Sequence, residues 1–89
     1  MNSRRFRVSG RVQGVGFRAY CQRVARRHQL GGWAINCDDG SVDVLLCGDD
    51  EQVAAAQAAI VEGPPLAQVT GTTPLDSPER LPEGEFRIG

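Results

Sequence analysis

The fold is decided by residues 5–18, RFRVSGRVQGVGFR, because two different periodicities meet within this stretch. Apolar or small residues alternate with polar ones from Arg5 to Val12, which predicts a half-buried β-strand. The next four residues, QGVG, carry two glycines and interrupt the alternation. Beyond them four residues recur at helical spacing and form one side of a predicted helix. They are Phe17, Cys21, Val24 and His28.

A β-hairpin is predicted after this helix. The glycine pair Gly31–Gly32 is interpreted as the end of the helix, and residues 33–37 and 41–47 then form two strands joined by a tight turn. Gly40 supplies the positive φ that such a turn needs.

The rest of the chain predicts a second helix and two further strands. Acidic residues 49–51 suit a helix amino terminus, and an apolar stripe continues to Gly63, after which Pro64–Pro65 prevents continuation. Residues 66–73 predict a fourth strand, and residues 85–89 a short edge strand. The predicted fold class is therefore α+β, a ferredoxin-like βαββαβ sandwich. It has an antiparallel sheet, two helices on one face and a short extra C-terminal strand.

Length and composition favour a small soluble protein. The 89 residues predict one domain, residues 1–89, because two domains would each need a core of their own. Apolar residues make up 40% and charged residues 24%, and no apolar run approaches the ~20 residues that span a membrane. The arginines near the amino terminus are not followed by the apolar segment of a secretory signal. We therefore expect a cytoplasmic monomer without a membrane partner.

The charge is unevenly distributed along the chain. Residues 1–37 contain eight arginines and no acid, whereas residues 38–89 contain two arginines and all eleven acids, so the two parts carry +8 and −9. A basic half attracts either nucleic acid or a small phosphorylated substrate through the same long-range field. Charge alone leaves both partners open, and the two halves also offer each other charges to pair.

The cysteines and the single histidine give little sign of catalysis or metal binding. Cys21, Cys37 and Cys47 form neither a CxxC pair nor a zinc pattern, so they are interpreted as reduced packing residues. His28 lies about 15 Å along the predicted helix from Arg18, too far for a shared site. We interpret Trp33 as a core or sheet-surface residue. No metal and no cofactor are predicted.

A phosphate site is the main functional hypothesis that the residues themselves support. The amino end of a helix has unpaired N–H groups and a partial positive charge, and glycines let an anion approach them. Backbone amides around Gly14 to Arg18 would therefore cradle a phosphate, with Arg18 adding a charge-assisted pair. A glycine loop before a helix is a weak signal by itself, and an ordinary tight turn is the alternative.

Two motifs resemble the signatures of the acylphosphatase family. Residues 8–18, VSGRVQGVGFR, resemble the first signature, and residues 32–48, GWAINCDDGSVDVLLCG, resemble the second. The matching positions of the first are Val8, Gly10, Val12, Gln13, Gly14, Val15, Phe17 and Arg18. Those of the second are Gly32, Trp33, Asn36, Gly40, Val42 and Gly48. Residues 62–69, EGPPLAQV, also look like the family's helix end and fourth strand, and the likeness fades after about residue 70.

The resemblance implies an activity and a set of site residues. It implies hydrolysis of small acyl phosphates to a carboxylate and inorganic phosphate, without a metal. Arg18 matches the family's phosphate-binding arginine and Asn36 its water-positioning asparagine. The cradle of substrate-binding amides corresponds to Gln13, Gly14, Val15, Gly16 and Phe17, together with Arg18. Ile35 departs from the family, which usually has a longer polar or basic residue there. Because adjacent strand residues point to opposite faces, this departure is expected to leave the amide of Asn36 in place.

Two other functions are alternatives. One is a non-catalytic module of the same fold that binds a phosphate ligand or RNA. An RNA binder would need aromatic side chains on its central strands, and residues 41–47 have none. A specialised acylphosphatase-like domain that delivers or senses carbamoyl phosphate is the other. Larger relatives of the family carry such a domain fused to others, whereas a single domain is expected here. This difference favours the free enzyme for this chain. The expected partner is thus a small acyl phosphate and not a nucleic acid.

Overall fold

The computed structural model describes residues 2–82 and 84–89, so positions 1 and 83 of the predicted domain lie outside the described residues. Within them the chain forms five strands and two helices. They are β1 (Asn2–Arg11), α1 (Phe17–Arg27), β2 (Gly31–Asn36), β3 (Val42–Gly48), α2 (Asp50–Glu62), β4 (Gln68–Leu75) and β5 (Phe86–Ile88). Neither helix is long and apolar enough to cross a membrane.

The strands form one sheet in the order β4-β1-β3-β2-β5. The pairs β1–β3, β1–β4 and β2–β3 are antiparallel, as predicted. The short last strand joins β2 in parallel, so the sheet is mixed. The ferredoxin-like fold class is confirmed, and the extra strand forms an edge opposite β4. The ends of β1 and β2 and the start of α1 consequently meet at one end of the sheet.

The main core lies between the helices and one face of the sheet. Its inward side chains follow the predicted periodicities, since Phe6 and Val8 alternate along β1 and Phe17, Cys21 and Val24 line one side of α1. Burying each large apolar side chain stabilises the fold by about 1.5–3 kcal/mol. The other buried members of this core are Val12, Ala25, Leu30, Ala34, Val42, Val44, Leu46, Val53, Ala56, Ile60 and Phe86.

The opposite, outer face of the sheet carries an ion pair on a tryptophan. Arg5 donates two hydrogen bonds to the carboxylate of Asp43, at 3.1 and 2.8 Å, and Nε1 of Trp33 donates to the same carboxylate at 3.2 Å. The guanidinium of Arg5 lies 5.8 Å from the centre of the Trp33 ring. Trp33 therefore lies on the sheet surface, which is one of the two positions that the sequence left open.

The predicted end of the first helix is wrong. The helix ends at Arg27, and the chain reverses through Gln29, which has a φ of +57°. The pair Gly31–Gly32 already belongs to β2. A Cβ atom on Gly32 would lie 1.8 Å from the main-chain oxygen of Leu45, so this glycine allows close strand packing.

Candidate phosphate site

The loop between β1 and α1 exposes the amino terminus of the helix. Gly14 and Gly16 both have a φ of +75°, a conformation that glycine adopts without steric cost. Gly16 occupies the N-cap position, and no side chain in residues 2–82 or 84–89 caps the helix. By contrast, the side chain of Asp49 caps α2 by accepting a hydrogen bond from the amide of Gln52. The first amides of α1 are therefore left to bind an anion, while those of α2 have an acid of their own.

A pocket of about 230 Å³ lies in front of this loop. A Cβ atom on Gly14 or Gly16 would meet nothing within 4 Å, so the space before both residues is open. Among the described residues that line the pocket none is acidic, and Arg18 is the one with a charged side chain. The lining residues are Val12, Gly14, Gly16, Phe17, Arg18, Ala19 and Ile88. This combination of one cation, a helix amino terminus and apolar walls suits a small anion with an apolar group attached.

A single main-chain oxygen connects Arg18 to Asn36. Nη1 of Arg18 donates to the oxygen of Gly89 at 2.6 Å, and the backbone N–H of Asn36 donates to the same oxygen at 3.2 Å. The N–H of Gly89 donates in turn to the oxygen of Ala34 at 3.0 Å. The residue after β5 thus holds the guanidinium beside the end of β2. The other N–H groups of Arg18 donate to none of the described residues, which leaves them available to a ligand.

The side chain of Asn36 lies on the helix-covered side of the sheet. Asn36 is the last residue of β2 and pairs with buried Val42, whereas neighbouring Ile35 pairs with Asp43 of the outer face. Its Oδ1 atom is buried and has no hydrogen-bond partner among the described residues. A buried acceptor without a donor costs about 1–3 kcal/mol, which makes it a strong acceptor for an incoming O–H group. Asn36 does not itself line the 230 Å³ pocket.

The remaining predicted cradle residues have different surroundings. Gly14, Gly16 and Phe17 line the pocket, with Phe17 only 1% exposed. Val15 packs against the core, and the side chain of Gln13 turns away to donate to the hairpin between β2 and β3. Ile88 and Gly89, from the far end of the sequence, also lie at the site, and the sequence did not predict their presence there. The alternation of residues 85–89 placed Ile88 in a strand but gave no sign that it faces Arg18.

None of the cysteines and histidine set aside in the sequence lines the pocket. Nδ1 of His28 lies 2.6 Å from Oε1 of Gln52, at the opposite end of α1 from Arg18. All three cysteines are free, and burial raises the pKa of Cys21 to about 12, which makes its thiol inert at neutral pH. Within residues 2–82 and 84–89, no three His, Cys, Asp or Glu side chains cluster as metal ligands would.

Comparison with known proteins identifies the family of this chain. Residues 4–88 match the family model described as Acylphosphatase. An acylphosphatase 2 of Ralstonia nicotianae is 51% identical over 79 residues, which is 86% of this chain and 82% of the relative. An acylphosphatase of Alkalilimnicola ehrlichii is 46% identical over 86 residues, 97% of this chain and 96% of the relative. The crystal structure of acylphosphatase from Bacillus subtilis aligns with a TM-score of 0.89 at 37% identity, covering 100% of this chain and 99% of that one.

Proposed function

The chain belongs to the acylphosphatase family and hydrolyses acyl phosphates, and we propose that Arg18, the amides of residues 13–17 and Asn36 carry out this reaction. As an enzyme it is a hydrolase acting on acid anhydrides. The observation that carries the residue assignment is the uncapped start of α1, which shares a pocket with Arg18.

Phosphate binding rests on two kinds of donor. The free amides at the start of α1 supply a partial positive charge, and the guanidinium of Arg18 supplies a full one. Each charge-assisted hydrogen bond contributes about 1.5–3 kcal/mol net. The described residues that line the pocket include no acidic side chain, so no side-chain carboxylate among them repels a phosphoryl dianion. The oxygen of Gly89 restrains Arg18 before substrate arrives, so less of its conformational freedom is lost on binding.

The proposed reaction is in-line attack of water on phosphorus. Oδ1 of Asn36 accepts a hydrogen bond from the water and orients its oxygen toward the phosphoryl group. The new P–O bond forms as the bond from phosphorus to the acyl oxygen breaks, and a carboxylate leaves. The water's proton passes to a phosphoryl oxygen, which balances the charges of the two products. Arg18 and the loop amides stabilise the equatorial oxygens, as positioning and electrostatics dominate phosphoryl transfer.

We further propose that the enzyme acts as a cytoplasmic monomer without a metal ion. A carboxylic acid with a pKa near 4 is a good leaving group at neutral pH, so neither a Lewis acid nor a strong general acid is needed. Nucleic acid is not the proposed partner, because the outer side of β3 carries Asp43 and the buried residues Leu45 and Cys47, and none of the three is an aromatic that could stack on a base. The Trp33 ring on β2 is already occupied by Arg5.

The test is a continuous benzoyl phosphate assay with and without EDTA. We expect turnover that chelator does not change, and loss of turnover with EDTA would contradict the metal-free mechanism.

Asn36→Ala should lower kcat strongly while the inhibition constant of inorganic phosphate stays near that of the wild type. Asn2→Ala, which changes an exposed asparagine of β1, is the matched control. Full turnover by Asn36→Ala would refute its role.

A further inference from the structure

We propose that Gln13 is a positioning residue. Its side-chain amide holds the β2–β3 turn (residues 37–41) against the phosphate loop (residues 13–17) and so sets the position of Asn36. This inference rests on the proposed function, because it assigns the alignment of that same site. The backbone amide of Gln13 belongs to the proposed cradle, but its side chain does not reach into the pocket. The side chain has a separate role, which acts through Asn36.

The amide nitrogen of Gln13 engages both ends of the turn. Nε2 donates to the main-chain oxygen of Cys37 at 2.8 Å and to that of Ser41 at 2.9 Å, which uses both of its hydrogens. The same two oxygens also close the turn itself. The oxygen of Cys37 accepts from the amide of Gly40 at 3.2 Å, and the oxygen of Ser41 accepts from the amide of Cys37 at 2.8 Å.

Hydrogen bonds within the turn that Gln13 holds connect its residues to one another. The side chain of Asp39 accepts hydrogen bonds from both the backbone amide and the hydroxyl of Ser41, and Ser41 is only 4% exposed. Because these bonds couple the residues of the turn, we expect a contact at its two ends to hold the whole segment. Cys37 is covalently joined to Asn36, and therefore the position of the turn sets the position of the proposed water-binding amide.

Gln13 joins the two halves of the site across 24 residues of sequence. It precedes Gly14 directly, so its own backbone moves with the phosphate loop. Among the hydrogen bonds of residues 2–82 and 84–89, the two from Nε2 are the ones that connect residues 13–17 to residues 37–41. A glutamine donates in this way, whereas a glutamate at neutral pH has no hydrogen to donate. The need for two donors on one nitrogen explains the residue type.

The experiment replaces Gln13 with methionine, which has a similar length and no charge but no donor. Gln22→Met is the matched control, because Gln22 is also a half-buried amide that donates to a main-chain oxygen, that of Phe86 at 3.3 Å. Three quantities are measured on each folded variant: kcat and KM for benzoyl phosphate, the inhibition constant of inorganic phosphate, and amide hydrogen exchange at Cys37 and Gly40.

We expect Gln13→Met to lower kcat at least tenfold, because a displacement of about 1 Å of a catalytic group costs up to about 100-fold. KM and the phosphate inhibition constant should change less than about twofold, since Arg18 and the loop amides are untouched. Exchange at Cys37 and Gly40 should become faster. Gln22→Met should leave kcat and these two exchange rates unchanged.

Other results overturn the inference. A kcat within twofold of the wild type does so, as does a parallel rise in KM and the phosphate inhibition constant, which would mean a damaged phosphate loop. If Gln13→Met does not fold, Gln13→Asn is the second variant, because its shorter side chain cannot reach both oxygens and should give the same split. A wild type without turnover contradicts the proposed function instead, and exchange at Cys37 and Gly40 then decides by itself whether Gln13 holds the turn.

Discussion

Replacing Arg18 with alanine or lysine separates the two contributions of its guanidinium, a positive charge and a planar pair of donors. Nη1 is held by the oxygen of Gly89, which leaves four N–H groups for a phosphoryl group. Two charge-assisted bonds at about 1.5–3 kcal/mol each give about 3–6 kcal/mol in the transition state. At about 1.4 kcal/mol per factor of ten, Arg18→Ala should lower kcat/KM by about 10²–10⁴. Arg18→Lys keeps the charge but not the fork, so its loss should be smaller, about 10–100-fold.

The assay follows the absorbance of benzoyl phosphate, with inorganic phosphate as a competing ligand. Arg23→Ala is the control, since Arg23 lies on the same helix, is exposed and contacts the ring of Tyr20. It should retain kcat/KM within about threefold, because its charge is screened by water. Urea unfolding of each variant separates a lost contact from a lost fold. Turnover by Arg18→Ala within threefold of the wild type, or an equal loss in Arg23→Ala, would refute the reasoning.

Three further predictions concern stability, the loop and selectivity. Burial alone would raise the pKa of Asp43, but hydrogen bonds from Arg5 and Trp33 outweigh it and the pKa lies below its usual value. The stability that this ion pair adds is present above pH about 4 and is lost as pH falls through the lowered pKa. Asp43→Asn should therefore lower the free energy of unfolding by about 1–2 kcal/mol at pH 7, whereas in acid the variant and the wild type should become equally stable. Urea unfolding at several pH values measures this difference. Gly16→Ala should lower the free energy of unfolding by about 1–2 kcal/mol, because Gly16 has a positive φ, and should also weaken inhibition by phosphate. The control is Gly84→Ala, whose glycine has a φ of +67° and equally open space, so that this variant should lose stability alone. Equal phosphate affinity in both variants would argue against the cradle. Ile88 is 40% exposed and lines the same pocket as Arg18, so we expect it to contact the acyl group of the substrate. Ile88→Ser should lower the ratio of kcat/KM for benzoyl phosphate to kcat/KM for acetyl phosphate about 2–5-fold. An unchanged ratio would contradict that contact.

The elements of the fold could be predicted because their patterns are local. Alternation along residues 5–12 and the helical spacing of Phe17, Cys21 and Val24 are both set by which side chains are buried, and burial follows the periodicity of the backbone. Gly31–Gly32 misled the prediction, because a glycine that ends a helix and a glycine that lets strands approach look the same in sequence. The distance from Gly32 to Leu45 of the neighbouring strand decides between them.

The site could be predicted only in part, for the same reason. The loop before Arg18 carries its own signal, since two glycines and a helix start are adjacent in sequence. The partners of that loop are distant: Gly89 lies 71 positions from Arg18, and the hairpin oxygens lie 24 and 28 positions from Gln13. No local periodicity reports such contacts, because they depend on how the strands are ordered in the sheet. Asn36 was identified through its family motif, and its assignment stays a prediction.

The shared acceptor at Gly89 also affects the order in which a refolding molecule regains turnover. Helix α1 depends on contacts between near neighbours and forms within microseconds, whereas the bond from Arg18 to Gly89 closes one of the longest loops that this chain permits. It further requires β5, a three-residue edge strand, to dock against β2. In a refolding experiment, hydrolysis is therefore expected to recover later than the far-ultraviolet circular dichroism signal of the helices. The return of enzymatic turnover would then report when the last strand docks.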